Sequence, residues 1–386
     1  MGRVIEGSLR SRGARAVMVL AVTVGSACTS SPGGVAQEIG GIHIDQIELP
    51  PDFGMELVTE NVPGARSLAM SPNGVLYVGT RPEGTVYAVE GVLGQNPATV
   101  TIIGSGLMVP NGVAWHEGSL YVAEKTRILR FDDIDSRIDD PPVPVVVAEG
   151  FPEEEVHGWR FIRFGPDDHL YVPIGAPCNI CEAENPIYGS ITRVDPASGE
   201  LEIMAAGIRN TVGFDWHPET DELWFTDNGA DGLGDNRPSD ELNRVSELGL
   251  HFGHPYCLGG DLLAPDLGEE RSCAEFVPPV IQLGPHVAAL GMRFYTGDSF
   301  PSELHGQIFI AEHGSSDRDE PIGYRITLVR LERGRAVEYS VFAEGWLNGD
   351  QAWGRPVDVE VAVDGSLLVS DDRAGAIYRI MYQPGS

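Results

Sequence analysis

Lysine is almost missing from this chain: of 386 residues, only Lys125 is one. Positive charge of any kind is scarce, 26 Lys and Arg against 57 Asp and Glu, for a formal net charge of −31. Such a surface repels phosphate backbones and anionic headgroups, which excludes nucleic acid and anionic membrane surfaces as partners. Long hydrophobic runs are missing too, and the apolar stretch at residues 17–24 is too short to span a bilayer. No C-x-x-C-H run occurs, so the chain carries no site for covalent haem attachment. No helical period is sustained, which argues against a helix bundle.

What the chain does have is a short phrase that recurs six times: a turn, an apolar strand, then a second turn and strand. The copies lie at residues 71–89, 116–131, 165–176, 217–229, 300–314 and 361–372, with Tyr77, Tyr121, Tyr171, Trp224, Phe309 and Leu368 at the equivalent strand position. Self-similarity at this spacing marks a repeat fold whose units cannot bury their own faces. Short strands split by Gly and Asp turns point to all-β structure, a six-bladed β-propeller. Six blades at about 40–50 residues each use most of the chain. Gly 48 and Pro 28 supply the turns. Residues 44–60 read as a lead-in strand that completes the last blade, closing the ring between the two ends of the chain. The gap from Trp224 to Phe309 is much the longest between marks, so a long loop region is inserted in the fourth-to-fifth blade stretch. It holds an acidic, Gly-rich segment (residues 227–240), the phrase D-E-L-N and two cysteines.

Residues 1–28 have Arg3, Arg10, Arg12 and Arg15 ahead of the apolar run, then small residues and Cys28, the layout of a signal peptide. Gly25-Ser26-Ala27-Cys28 is an imperfect lipoprotein box. Either Cys28 carries a lipid, the one route to a membrane, or cleavage is ordinary and nearby. Residues 29–43 read as a flexible tether, and 44–386 as the propeller. The expected location is outside the cytoplasm: periplasmic, at the cell surface, or secreted. In that setting an even number of further cysteines favours disulfides, Cys178–Cys181 and Cys257–Cys273, over a zinc site or a redox-active C-x-x-C.

Polar residues that break the blade pattern fall at similar points of successive blades. Arg66, His157, Arg209 with Asn210, and Arg355 precede phrases, while His313 and Arg318 follow one. Equivalent points meet at one mouth of a propeller channel. Arginines gathered there suit a polyanion, ideally carboxylates read bidentately. Arg318 is the weak member, flanked by Asp317 and Asp319. A neutral histidine can take a proton near pH 7. Backbone carbonyls in the acidic loop suit a hard cation, calcium above all. A polycarboxylate cofactor, a divalent ion and a histidine base together describe a redox site for alcohols or sugars. His217, His251, His254 and His286 read instead as structural or loop residues.

These residues carry a resemblance. The phrase at His157 (H-G-W-R-F-I-R-F), G-I-R-N, D-E-L-N with G-L-H-F-G-H-P-Y, E-H-G-S-S-D-R-D-E-P-I-G-Y-R and G-R-P-V-D-V-E-V resemble, in that order, the soluble quinoprotein sugar dehydrogenases, more closely their L-sorbosone/pyranose dehydrogenase branch. The resemblance implies pyrroloquinoline quinone (PQQ) and Ca2+ in the top of a six-bladed channel, and a sugar or small aldehyde or alcohol as substrate. It further implies an external electron acceptor, a separate cytochrome or quinone. By that resemblance His157 is the general base as hydride leaves for the quinone, and Arg209 and Asn210 contact cofactor and developing oxyanion. The carbonyls of Gly229 and Ala230 would hold the catalytic calcium, and Glu241 a second, structural one. Arg66, Arg318 and Arg355 would grip cofactor carboxylates. The glucose-oxidising branch sets a lysine against the cofactor; here His313 or Arg318 would stand in. Two other classes compete: a calcium-dependent lactonase, which needs carboxylates rather than arginines around the ion, and a binding propeller that has lost its cofactor.

Overall fold

The structure is a computed structural model that describes residues 41–386 apart from 95, 96, 317 and 386. The signal peptide, Cys28 and nearly all of the tether lie outside the described residues. Six antiparallel sheets follow one another along the chain, as the six phrases predict. Blade one runs from its inner strand, Leu68–Met70, outward through Leu76–Val78 and Thr85–Glu90 to Thr99–Ser105. The inner strands of the other blades are Gly112–His116, Arg163–Phe164, Phe214–Trp216, Ala289–Phe294 and Pro356–Val361. These inner strands neighbour one another around the bore, and the first also packs on the last.

Burial explains why the phrases read as unbroken apolar runs instead of alternating ones. The second strand of a blade has a neighbouring blade on each face, so Leu170–Ile174, Leu223–Asp227, Ile308–Glu312 and Leu367–Asp371 are buried at every residue. Outer strands such as Val145–Glu149 and Leu201–Ala206 are mostly exposed.

Ring closure follows the expectation, over a shorter stretch. Phe53–Thr59 pairs antiparallel with Ala376–Tyr382 and becomes the outer strand of blade six. Upstream, Ile44–Gln46 is a 3-10 turn, and Pro50 and Pro51, which lack amide hydrogens, cannot extend the ladder. Phe53 anchors the closure edge-on to Phe300 and Phe342, with ring centroids 4.9 and 5.1 Å away.

The inserted region lies inside blade four, between Ser239–Val245 and Ile281–Pro285. D-E-L-N is therefore strand, not loop. Within the insertion, Leu250–His251 pairs in parallel with the outer strand of blade three, stitching the two blades together. The Cys257–Cys273 disulfide closes the rest of it.

Across the ladder, the six aligned marks face Ala69, Ala114, Arg163, Asp215, Arg293 and Glu360 on the inner strands. Blades three to six thus place +, −, +, − at one level of the bore. Arg163 bonds Asp215 (3.1 Å) and reaches across to Glu360 (3.0 Å), while Arg293 bonds Glu360 (2.9 Å) and Asp358 (3.4 Å). Burial alone would raise Glu360, but Arg293 and Arg163 overcome it and hold this carboxyl below its usual range. At the end of the channel away from His157, Arg163, Asp215, Arg293 and Glu360 line an open cavity of their own.

Candidate active site

Residues just before the inner strands and just after the second strands converge at the other mouth. There an open cavity of about 200 Å3 is lined by His157, Trp159, Arg209, Asn210, Gly229 and Asp231, among others. His157 is buried and sits at φ 51°, a left-handed conformation rare for a residue with a side chain. Its Nδ1 lies 2.8 Å from Ala176 O. A carbonyl only accepts, so the hydrogen is on Nδ1 and Nε2 keeps its lone pair. Burial, then the nearby Arg209 charge, pushes the imidazole down to about 4, so it is neutral at pH 7.

Arg209 is held on several sides. Its guanidinium donates to Asp231 (2.7 Å), Asn228 O (3.3 Å), and the carbonyl (3.1 Å) and side chain (2.9 Å) of Asn179. Asp227 fixes the backbone beneath, accepting the N–H groups of Arg209 (2.9 Å) and Asn210 (2.6 Å).

Beside this cavity stands a second cationic group. Arg66 bonds Asn111 and Asp372, both at 2.6 Å. His313 bonds the other oxygen of Asp372 at 2.8 Å. Arg355 donates to the carbonyls of His313 (3.0 Å) and Gly314 (2.5 Å). Burial alone would raise Asp372, but His313 and Arg66 hold it far below the ordinary carboxylate range. Burial pushes His313 down to about 4.

Sequence reasoning missed Arg81. Its guanidinium carbon lies over the Trp159 ring, 4.1 Å from the centroid, and burial with the Arg66 charge pushes it down to about 10. Its signal was present: it follows the second strand of blade one, where His313 follows that of blade five. Arg66 pairs with Asp372, while Arg81 feels the charges of Asp372 and Glu83, and Arg355 that of Asp372, neither with an ion pair among the described residues. Arg209, by contrast, is matched by Asp231, a compensation the sequence did not reveal. Arg318 does not line the cavity; its guanidinium donates to Glu320 O (3.0 Å) and to Asp235 O, tying blade five to the acidic loop. Two histidines expected to be plain loop residues border the site: His286 lines the cavity, and His254 contacts Asn179 O at 3.2 Å.

Next to the cavity, a smaller hollow is lined by Asp227, Gly229, Ala230, Glu241 and Gly259. Glu241 accepts from Asn243 (2.8 Å), and burial followed by the Asp227 charge pushes it up to about 8. Among the described residues no three His, Cys, Asp or Glu side chains converge as a metal group, so a cation here would rest on carbonyls and Glu241. Both expected disulfides are formed, Cys178–Cys181 and Cys257–Cys273, with Cα atoms 6.1 and 5.3 Å apart, which removes the zinc alternative.

Comparison with known proteins agrees with this geometry. An uncharacterized protein of Borreliella burgdorferi is 32% identical over 352 residues, covering 87% of this chain and 91% of its own length. Among solved structures, the holo PQQ domain of pyranose dehydrogenase from Coprinopsis cinerea superposes with a TM-score of 0.73 at 17% identity, covering 87% of this chain and 97% of that one. The PQQ-bound aldose sugar dehydrogenase of Streptomyces coelicolor gives 0.62 at 20% identity, covering 86% and 99%. At these identities the likeness is one of fold. The glucose/sorbosone dehydrogenase family matches residues 123–379, and this six-bladed chain belongs to it.

Proposed function

We propose that this protein oxidises a sugar or related alcohol or aldehyde with PQQ and calcium, His157 being the general base. The observation that carries the reading is the His157 tautomer: Nδ1–H is committed to Ala176 O, leaving an unprotonated Nε2 on a side chain that lines the cavity. The surroundings fit a flat tricarboxylate. Arg66, Arg81 and Arg355 stand together beside the cavity, and Trp159 lines it. Glu241 and the carbonyls of Gly229 and Ala230 fit calcium, which takes oxygen donors.

A bound quinone supplies the two-electron acceptor, and calcium a Lewis acid beside it. His157 takes the substrate hydroxyl proton on Nε2. Ala176 O stabilises the imidazolium that results. Arg209 and Asn210 hold positive charge and N–H donors at the developing oxyanion. Arg66, Arg81 and Arg355 hold cofactor carboxylates, and His313 fixes Asp372 among them. Arg318 orders the acidic loop in place of touching the cofactor. Two disulfides and the character of residues 1–28 support a location outside the cytoplasm, with electrons leaving to a separate carrier.

The test is reconstitution: quinone and calcium are added to purified apoprotein and dye reduction is followed with a panel of sugars. Turnover that disappears in His157→Ala is expected. Quinone binding without turnover on any sugar, or lactone hydrolysis with calcium alone, would overturn the reading.

A further inference from the structure

Four groups around the cavity share one short neighbour, residues 176–181. Ala176 donates its backbone N–H to Arg209 O (2.8 Å) and accepts the His157 hydrogen on its own carbonyl (2.8 Å). Three residues on, Asn179 takes Arg209 Nε on its carbonyl and Nη2 on its side-chain oxygen. The same side chain clasps Asp231, accepting its backbone N–H and donating to its carbonyl, both at 2.9 Å. His254 adds its contact to Asn179 O.

Asn179 is itself exposed, so packing does not hold it in place. The Cys178–Cys181 bridge, which flanks it on both sides, does: closing so short a loop removes most of its alternative conformations. Arg209 needs that support. Its ion-pair partner Asp231 has a side chain 59% exposed, and a pair open to water on one side orients a guanidinium only weakly. Two more acceptors on a covalently closed loop, one of which also pins the Asp231 backbone, fix a planar fork in one orientation.

We propose that Asn179, held by the Cys178–Cys181 bridge, is a positioning residue: it fixes the Arg209 guanidinium against Asp231, so that Arg209 and His157 keep one arrangement about whatever reacts between them. The inference rests on the role given to Arg209 in the proposed function. Asn179→Ala deletes the side-chain acceptor and leaves the carbonyl. Asn179→Asp keeps an oxygen for Arg209. Cys178→Ser with Cys181→Ser opens the loop and loosens both.

Two measurements decide. In apoprotein, labelling with an arginine-selective dicarbonyl is followed by mass spectrometry, with Arg293 as a buried reference. Arg209 is expected to label several-fold faster in Asn179→Ala and in the double serine variant, and near the wild-type rate in Asn179→Asp. In quinone- and calcium-loaded enzyme, Asn179→Ala is expected to lower kcat about 10- to 100-fold, the range typical of groups that orient a catalytic ligand. The sugar KM and Tm should stay nearly constant, and Asn179→Asp should recover much of the rate. Unchanged Arg209 labelling in all three variants overturns the positioning role, as does a kcat loss that merely tracks a loss of Tm. Faster labelling in a protein whose wild type neither binds quinone nor turns over leaves the Asn179–Arg209 tie standing and removes the proposed function instead.

Discussion

Replacing Arg293 by methionine tests the charged belt across the bore. The side chain is 1% exposed and gives hydrogen bonds to Glu360 (2.9 Å) and Met292 O (2.7 Å), with Asp358 at 3.4 Å. Methionine keeps much of the volume and removes the cation. Glu360 and Asp358 then share the interior with Arg163 as their nearest remaining guanidinium. Removing one partner of a buried ion pair typically destabilises by about 3–5 kcal/mol. Unfolding entropy of about 2.1 cal/mol/K per residue over roughly 340 residues turns that into a Tm loss of about 4–7 °C. The pH dependence has a definite sign. In the wild type Glu360 is held below its usual value, so it contributes stability above an unfolded-state pKa of about 4.3, lost as pH falls through the folded one. Without Arg293 the folded-state pKa rises, and stability is lost as pH rises through it. The variant should therefore fall furthest behind the wild type at pH 8 and least at pH 5, by differential scanning calorimetry. Adding Glu360→Gln to Arg293→Met should recover part of the loss. A Tm change under about 1 °C, or a larger deficit at pH 5 than at pH 8, would refute the reasoning.

In the reconstituted enzyme the acid limb of kcat/KM should lie well below the 6.5 of a free imidazole, toward the value near 4 that burial gives His157, because only the neutral base works; a limb at or above 6.5 counts against it. Arg81→Ala should weaken quinone binding about tenfold or more, measured by titration with absorbance, since it removes a desolvated cation from a tricarboxylate site. Calcium should raise the apoprotein Tm more at pH 8 than at pH 6, because Glu241, pushed up to about 8, must lose its proton to bind. Phe53→Ala should lower Tm while leaving a folded ring, at about 3 kcal/mol for the lost aromatic contacts with Phe300 and Phe342.

How much of this could be read from residues alone varies with distance along the chain. The blades were legible because each phrase is local: a turn, an apolar run and another turn within about twenty residues. The cavity was legible in part, since His157, Arg209 and Asn210 each sit at a fixed offset from a phrase. Pairings across the ring were not. Arg66 meets Asp372 from 306 positions away, and no spacing rule links them. Arg209 finds Asp231 within its own blade, 22 positions on, but through a turn whose shape Gly232 and Gly234 set at positive φ and spacing does not show. Arg318 failed to join the others because its loop folds back on Asp235, a contact between two blades' loops that composition cannot foretell. The alternating belt lay in plain view opposite four of the six marks, but only the register across the ladder shows that those residues share one level.

Arg163 of blade three reaches Glu360 of blade six, and Arg293 of blade five holds the same carboxylate. Blades that share no strand pairing are therefore tied directly through the middle of the ring, and a change in one is felt by the others.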